Sequence, residues 1–243
     1  MVLPSFFFKI QIDMDKTLKE LVDLHITHVR PRLKVDQRIE PEFVADYIHT
    51  ARLEVIKDVY RSKVLMDGFY QRVRVIITRD DTTIRFTLSN GQYVEYSNED
   101  AFFILPIPSV MSALNASALK YIGGVNFSNP YDRVTLNEFM LSDVDYFTKD
   151  RAKVTLDIDK IYAKNIPASE RVIEAMGIFR NPTEVPDFTW NVSYPMPMDF
   201  LEKLQYIVRS KLYEHFSIPT DLINDDIDQT TFRQTAKKQD DES

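Results

Sequence analysis

The sequence predicts an α+β chain: an N-terminal helical hairpin, a small antiparallel β-meander with further strands, a long C-terminal helix and an extended tail. Three observations lead there. Before residue 61 apolar side chains recur at helical spacing, and after Gly68 the period drops to two. Strand-like and helix-like stretches also come in blocks, not in the alternation that builds a doubly wound parallel sheet.

From Asp15 to Val29 the residues Leu18, Leu21, Val22 and Val29 keep the helical period, and Pro31 is expected to close the segment. Pro41 suits the first turn of a second helix, in which Val44, Ile48, Ala51, Val55 and Val59 form one stripe that Tyr47 broadens. A short polar link makes the two an antiparallel hairpin. "QRVRVIITRDDTTIRFTLSNGQYVEYS" then reads as three strands, with Ile84, Phe86 and Leu88 alternating against Arg85 and Thr87, and Asn90-Gly91 as a two-residue hairpin turn. Such a meander has one apolar face that needs a cover.

Pro106 and Pro108 end an extended approach, after which Ser109 is expected to cap a helix over Val110 to Tyr121, closed by Gly123. A short helical patch follows at Leu136 to Leu141. "KVTLDIDKIYA" reads as one strand with Val154, Leu156, Ile158 and Ile161 inward, and "RVIEAMGIF" as another. "PMDFLEKLQYIVRSKLYEHF" is an amphipathic helix with Leu201, Leu204, Ile207, Val208 and Leu212 on one side; beyond Phe216 the chain turns polar and acidic. The expected organisation is a helical region at 1–66, a β-rich core with a proline-rich arm at 67–198, the helix at 199–216 and the tail at 217–243, forming one integrated domain plus tail.

Composition excludes several function classes. With 243 residues and 44% hydrophobic content the chain buries a sizeable core, and a net charge of -7 argues against a broad phosphate-neutralising surface. The absence of cysteine removes disulfides, thiolate zinc sites, iron-sulfur clusters and a cysteine nucleophile. Five glycines, of which only Gly123 and Gly124 are adjacent, supply neither a P-loop nor a dinucleotide fingerprint. The apolar opening "MVLPSFFFKIQI" lacks a basic leader and is broken by Pro4 and Lys9, so it does not read as a secretory signal. No run approaches the roughly 18 apolar residues of a membrane span.

Candidate chemistry is sparse. His25 and His28 stand at i and i+3 with His49 on the neighbouring helix, near enough in pattern to share a metal, yet no His-Glu-x-x-His motif completes them. "TDLINDDID", Thr220 to Asp228, invites calcium but lacks the central glycine and closing glutamate of an EF-hand loop. Asp143, Asp145, Asp157 and Asp159 raise a paired-carboxylate hydrolase, but Asp157 and Asp159 alternate with apolar residues as a solvated face does. There is no Gly-x-Ser-x-Gly, and His215 at a helix end complements the dipole as well as it would serve as a base. Arg72, Arg74, Arg79 and Arg85 interleaved with Tyr93 and Tyr96 sketch a basic-aromatic face suited to single-stranded nucleic acid, the alternative function. No catalytic residue, cofactor or metal ligand is assigned.

The stretch Arg180 to Phe200, "RNPTEVPDFTWNVSYPMPMDF", holds four prolines and the only tryptophan. With "GIFRNPTEVPDFTW", "YPMPMDFLEKLQYIV", "PTDLINDD" and "YIGGVNFSNPYDRV", and with the N-terminal helical pair, the chain resembles ring-forming structural proteins of the head-to-tail connector and tail barrel of crAss-like tailed bacteriophages. The resemblance implies a non-enzymatic virion protein: a closed homo-oligomer of about twelve copies, stacked with the portal protein and neighbouring rings around the passing genomic DNA. On that basis Arg180, Pro182, Pro186, Trp190, Tyr194, Pro195, Pro197, Pro219, Asp221, Asn224 and Asp225 become candidate interface residues. The arm from Arg180 to Pro197 is expected to be fixed and extended, with Trp190 anchoring it to its own core or to the next subunit. An acidic wall repels DNA at short range and suits a conduit.

Overall fold

The computed structural model describes residues 16–33, 37–61, 67–111, 114, 118–141, 150–158 and 160–218. Helix α1 (Leu18–Val29) starts at a capping box: Thr17 Oγ1 accepts from the Glu20 amide at 3.2 Å while Glu20 Oε2 accepts from the Thr17 amide at 2.9 Å. Pro31 does not stop the chain abruptly. It sits in a 3-10 turn, Arg30–Arg32, where a missing N–H is tolerated. Helix α2 (Pro41–Arg61) buries the expected stripe of Val44, Ile48, Ala51, Val55 and Val59. Helix α4 (Leu201–His215), entered through a 3-10 turn at Met198–Phe200, packs on both, so the hairpin is in fact two sides of a three-helix layer. Ion pairs from Lys203 to Asp58, at 2.8 Å, and from Lys211 to Glu54 lace α4 to α2.

The meander is present as β1 (Gln71–Arg79), β2 (Thr83–Leu88) and β3 (Tyr93–Ser97). Its second turn is one residue longer than a two-residue hairpin. Gly91 N bonds Leu88 O at 3.0 Å and Leu88 N bonds Gln92 O at 2.8 Å, with Gly91 at φ 85, the left-handed geometry of a turn followed by a glycine bulge. The five-stranded sheet is completed by β9 (Val172–Gly177) and β5 (Leu119–Gly123), in the order β3-β2-β1-β9-β5, with every pair antiparallel.

Strand β5 replaces the end of the helix expected over Val110 to Tyr121, of which residues 112–113 and 115–117 lie outside the described residues. Residues 119–123 pair with β9, and further back Met111 N bonds Ile178 O at 2.9 Å while Arg180 N bonds Ser109 O at 2.8 Å, so the chain lies alongside the β9 extension. The free edge of β9 offered these apolar residues a ladder that overrode the capping signal at Ser109. Gly123 is required here: a Cβ would stand 2.5 Å from Asn129 O and 2.9 Å from Pro130 Cα.

A second sheet, in the order β4-β8-β7-β6, comprises β4 (Phe103–Ile104), β6 (Asp132–Arg133), β7 (Lys153–Asp157) and β8 (Lys160–Lys164), with α3 (Leu136–Leu141) packed on β7. The single strand expected over "KVTLDIDKIYA" is thus a hairpin. Ile158 leaves the inward row and turns at φ 59, and Ile161 stays buried in β8. Phe86 and Phe103 meet at 5.3 Å between centroids where the two sheets face each other, and one continuous hydrophobic cluster runs from these rings to the helices.

Arg52 joins the layers. Fully buried on α2, it donates from Nε to Pro195 O (2.9 Å), from Nη1 to Phe179 O (3.0 Å) and from Nη2 to Phe69 O (3.1 Å). These carbonyls belong to the proline-rich segment, the end of β9 and the approach to β1. Burial lowers the guanidinium only to about 10, so it stays charged at neutral pH. Arg52→Met is expected to lower the unfolding free energy by about 3–5 kcal/mol by stranding three buried carbonyls. Arg52→Lys should recover less than half, having no planar fork. Urea unfolding measures both, and an unchanged midpoint in Arg52→Met would show that the fork is dispensable.

Candidate functional site

The segment Arg180 to Pro197 is fixed, but not extended. Asn181 caps a 3-10 turn at Pro182–Glu184 through Oδ1 and the Thr183 amide (3.0 Å), and further turns close at Phe188 N to Val185 O (2.9 Å) and Val192 N to Thr189 O (3.0 Å). Proline at the first turn position and an Asx cap explain the folding back. Its far end docks on α1: Lys19 N bonds Trp190 O at 3.0 Å, Tyr194 N bonds Lys16 O at 2.9 Å, and Thr17 bridges Ser193.

This docking sorts the predicted interface residues. Pro182, Tyr194 and Pro195 are buried against the chain's own core, Tyr194 and Pro195 also lining a groove beside the segment. Tyr194 Oη lies 2.9 Å from His49 Nδ1; burial raises the phenol above its usual range, with Arg52 opposing, and lowers His49 to about 4, with Arg52 adding to the effect. Trp190 packs half-buried against its own core, Pro186 and Pro197 are half-buried, and Arg180 is exposed. Pro219, Asp221, Asn224 and Asp225 lie outside the described residues, as do the rest of "TDLINDDID" and Asp143, Asp145 and Asp159.

Of the basic-aromatic set, Arg72, Arg74, Arg85 and Tyr93 share the exposed face of the sheet, and Arg79 and Tyr96 fall on the other. Arg72 and Arg74 project outward from β1, but both pair with Glu174, directly opposite Arg74 on β9 and fully buried: Arg72 Nε to Oε1 is 3.4 Å and Arg74 Nε to Oε2 is 3.2 Å. Arg85 bonds Glu95 at 2.7 Å and covers the Tyr93 ring at 4.9 Å. Arg79 turns away to hold the carbonyls of Ile166, Pro167, Ala168 and Glu170. Tyr96 faces the core, 5.6 Å from Phe103, with its hydroxyl shared by the N–H and C=O of Ile104. Alternation along β3 separates Tyr93 from Tyr96, a consequence the list of residues alone did not carry.

The histidines are dispersed. His28 stacks on Tyr213 and meets Arg32 at 2.9 Å, His215 lies against Phe43 at 4.7 Å, and His25 is fully buried. Among the described residues no group of three or more His, Asp or Glu is placed to hold a metal ion, and no helix is long and apolar enough to cross a membrane. Asp157 faces Lys160 across its hairpin.

What the geometry offers is surface. Ile158 (77% exposed) and Leu136 line, with Leu156, a cleft of about 560 Å³, and Met140 (58%) and Leu141 (66%) are exposed on the same short helix as Leu136. Elsewhere two grooves, of about 320 and 700 Å³, share Val185 and Phe188 of the proline-rich segment. Neither was legible in the sequence, where Ile158 reads as a core residue. Compared with models of known protein families and with curated proteins, the chain matches none.

His25 sets a pH dependence. Both ring nitrogens lack a hydrogen-bond partner, and burial first, then the charges of Arg209, His28 and Lys16, lower its pKa from 6.5 to about 3. The unfolded chain therefore binds the extra proton first. Stability is full above pH 6.5 and is lost as pH falls toward 3, by about 2 kcal/mol at pH 5 from this residue. Thermal unfolding of His25→Leu should show a smaller loss between pH 7 and pH 5 than the parent; equal losses would remove His25 as the cause.

Proposed function

We propose that the chain is a non-enzymatic virion structural protein that assembles into a ring of the head-to-tail connector of a tailed bacteriophage, as a portal adaptor or a tail-barrel layer. The observation that carries this reading is Ile158. A β-branched residue at φ 59 is a strained outlier costing roughly 1–3 kcal/mol, and here the strain presents an apolar side chain to solvent at a cleft it shares with Leu136 and Leu156. Such a knob gains nothing in a monomer. It gains burial energy against a partner.

A closed ring needs two different patches that fit each other on successive subunits. The Ile158 knob and the grooves along the proline-rich segment are different surfaces built from different elements. The motifs quoted from "YIGGVNFSNPYDRV" to "PTDLINDD" add the resemblance to connector rings, and the balanced arginines of the open sheet face suit a wall that does not grip passing DNA. The partners would be further copies, the portal protein and adjacent rings.

Electron microscopy of purified particles tests the reading directly: the chain should appear as a ring of high cyclic symmetry at the head-to-tail junction or in the tail. Its absence from particles would overturn the proposal. Ile158→Gly should act in opposite directions on two readouts, raising monomer stability by up to about 1 kcal/mol through relief of the left-handed φ and lowering incorporation into particles. Unaltered incorporation would exclude the knob as a contact.

A further inference from the structure

The larger groove is a slot beside an open sheet edge. It lies between β3, through Gln92, Tyr93 and Val94, and the extended run Pro106 to Ser109, with Pro186 and Phe188 closing one end. β3 is the last strand of its sheet. Every second residue of such a strand turns its N–H and C=O outward. Ser97 N is one of these, since it donates to Asp100 Oδ2 at 2.9 Å, so the outward groups further along are those of Glu95 and Tyr93. The opposite wall cannot pair with them itself, because Pro106 and Pro108 have no N–H. β3 has no lysine, proline or bulge, its one charge, Glu95, is paired with Arg85, and Tyr93 is 60% exposed.

This chain contains a segment that fits. Residues 6–13, "FFFKIQID", alternate strictly once Phe8 is reached: Phe6, Phe8, Ile10 and Ile12 fall on one side, and Phe7, Lys9, Gln11 and Asp13 on the other. Added to β3, the first set would continue the row of Val94 and Tyr96 toward the core, and Lys9 would join the row of Glu95. We propose that residues 6–13 of a neighbouring copy occupy this slot as an added strand, linking subunits head to tail.

Reach favours a neighbour over the same subunit. The antiparallel bridge of Thr17 with Ser193 places the exit at Lys16 beside Tyr194, on the segment whose Pro197 packs on Gly68 ahead of β1. Two strands, β1 and β2, then separate that exit from the β3 edge. The three residue steps from Lys16 to Asp13 span about 10 Å, short of a strand added outside β3, which lies about 15 Å from β1, so the slot within reach is that of a subunit packed against this exit. The contact is heterologous: the donor uses its N-terminal segment and the acceptor its slot, so repetition closes a ring or extends a filament. The inference rests on the ring reading only for the closure.

The chain has no cysteine, so engineered pairs report cleanly. Lys9→Cys and Glu95→Cys proteins, mixed and oxidised, should give a heterodisulfide between copies, located by mass spectrometry, and Phe8→Asp in the donor should reduce it at least tenfold. The double variant Lys9→Cys with Glu95→Cys should give a ladder of linked chains. A closed link within one chain would overturn the proposal, as would no mixed product with cysteine at position 9 or at position 11. Particles in which Phe8→Asp protein still forms normal rings would sink the slot and leave the ring reading standing; cross-linked filaments without rings would do the reverse.

Discussion

A single buried guanidinium holds the architecture in register. Arg52 arises from the middle of α2, between Ala51 and Leu53 on an otherwise apolar stripe, and its three donors reach carbonyls that are 17, 127 and 143 residues away. Each carbonyl ends a different piece: the turn before β1, the end of β9 and the proline-rich segment. Without the guanidinium three buried carbonyls would lose these donors. The helical layer, the five-stranded sheet and the segment that links β9 to α4 therefore meet at one side chain.

The same constraint shapes the surfaces. With Pro195 fixed to Arg52 and Tyr194 fixed to His49, the proline-rich segment is pressed against its own helices, and the grooves beside it are bounded by rigid walls. Rigid walls lower the ordering entropy of whatever docks there. At the other end of the molecule the Ile158 hairpin follows the opposite logic, holding a strained apolar residue in water. His25, His49, Arg52 and Tyr194 lie in the packing between elements, and burial is the largest cause of each of their shifts.

Periodicity carried the regular elements well. The stripes of α1, α2 and α4, the meander and the short α3 stand where spacing placed them, because each depends on neighbours within a few residues. Failures came where a distant partner decided. Leu119 to Gly123 became a strand because β9 had a free edge; "KVTLDIDKIYA" folded into a hairpin because β7 and β8 pair with each other and with β6 and β4; and the stiff proline-rich segment folded into turns against α1. On the exposed sheet face Arg72 and Arg74 pair with Glu174, a hundred residues from Arg74, which reads in sequence as one more strand residue.

The sequence by itself determined the α+β class, the blocks of helix and strand and the absence of thiol chemistry, since composition and local spacing decide all three. Only the tertiary structure decided which residues became surface. Trp190, Tyr194 and Pro195 went inward because α1 and Arg52 were there to receive them, and Ile158 went outward because a hairpin turn had to close at its position. Burial is a property of what a residue meets across the fold, and a one-dimensional pattern records the residue but not its distant neighbour.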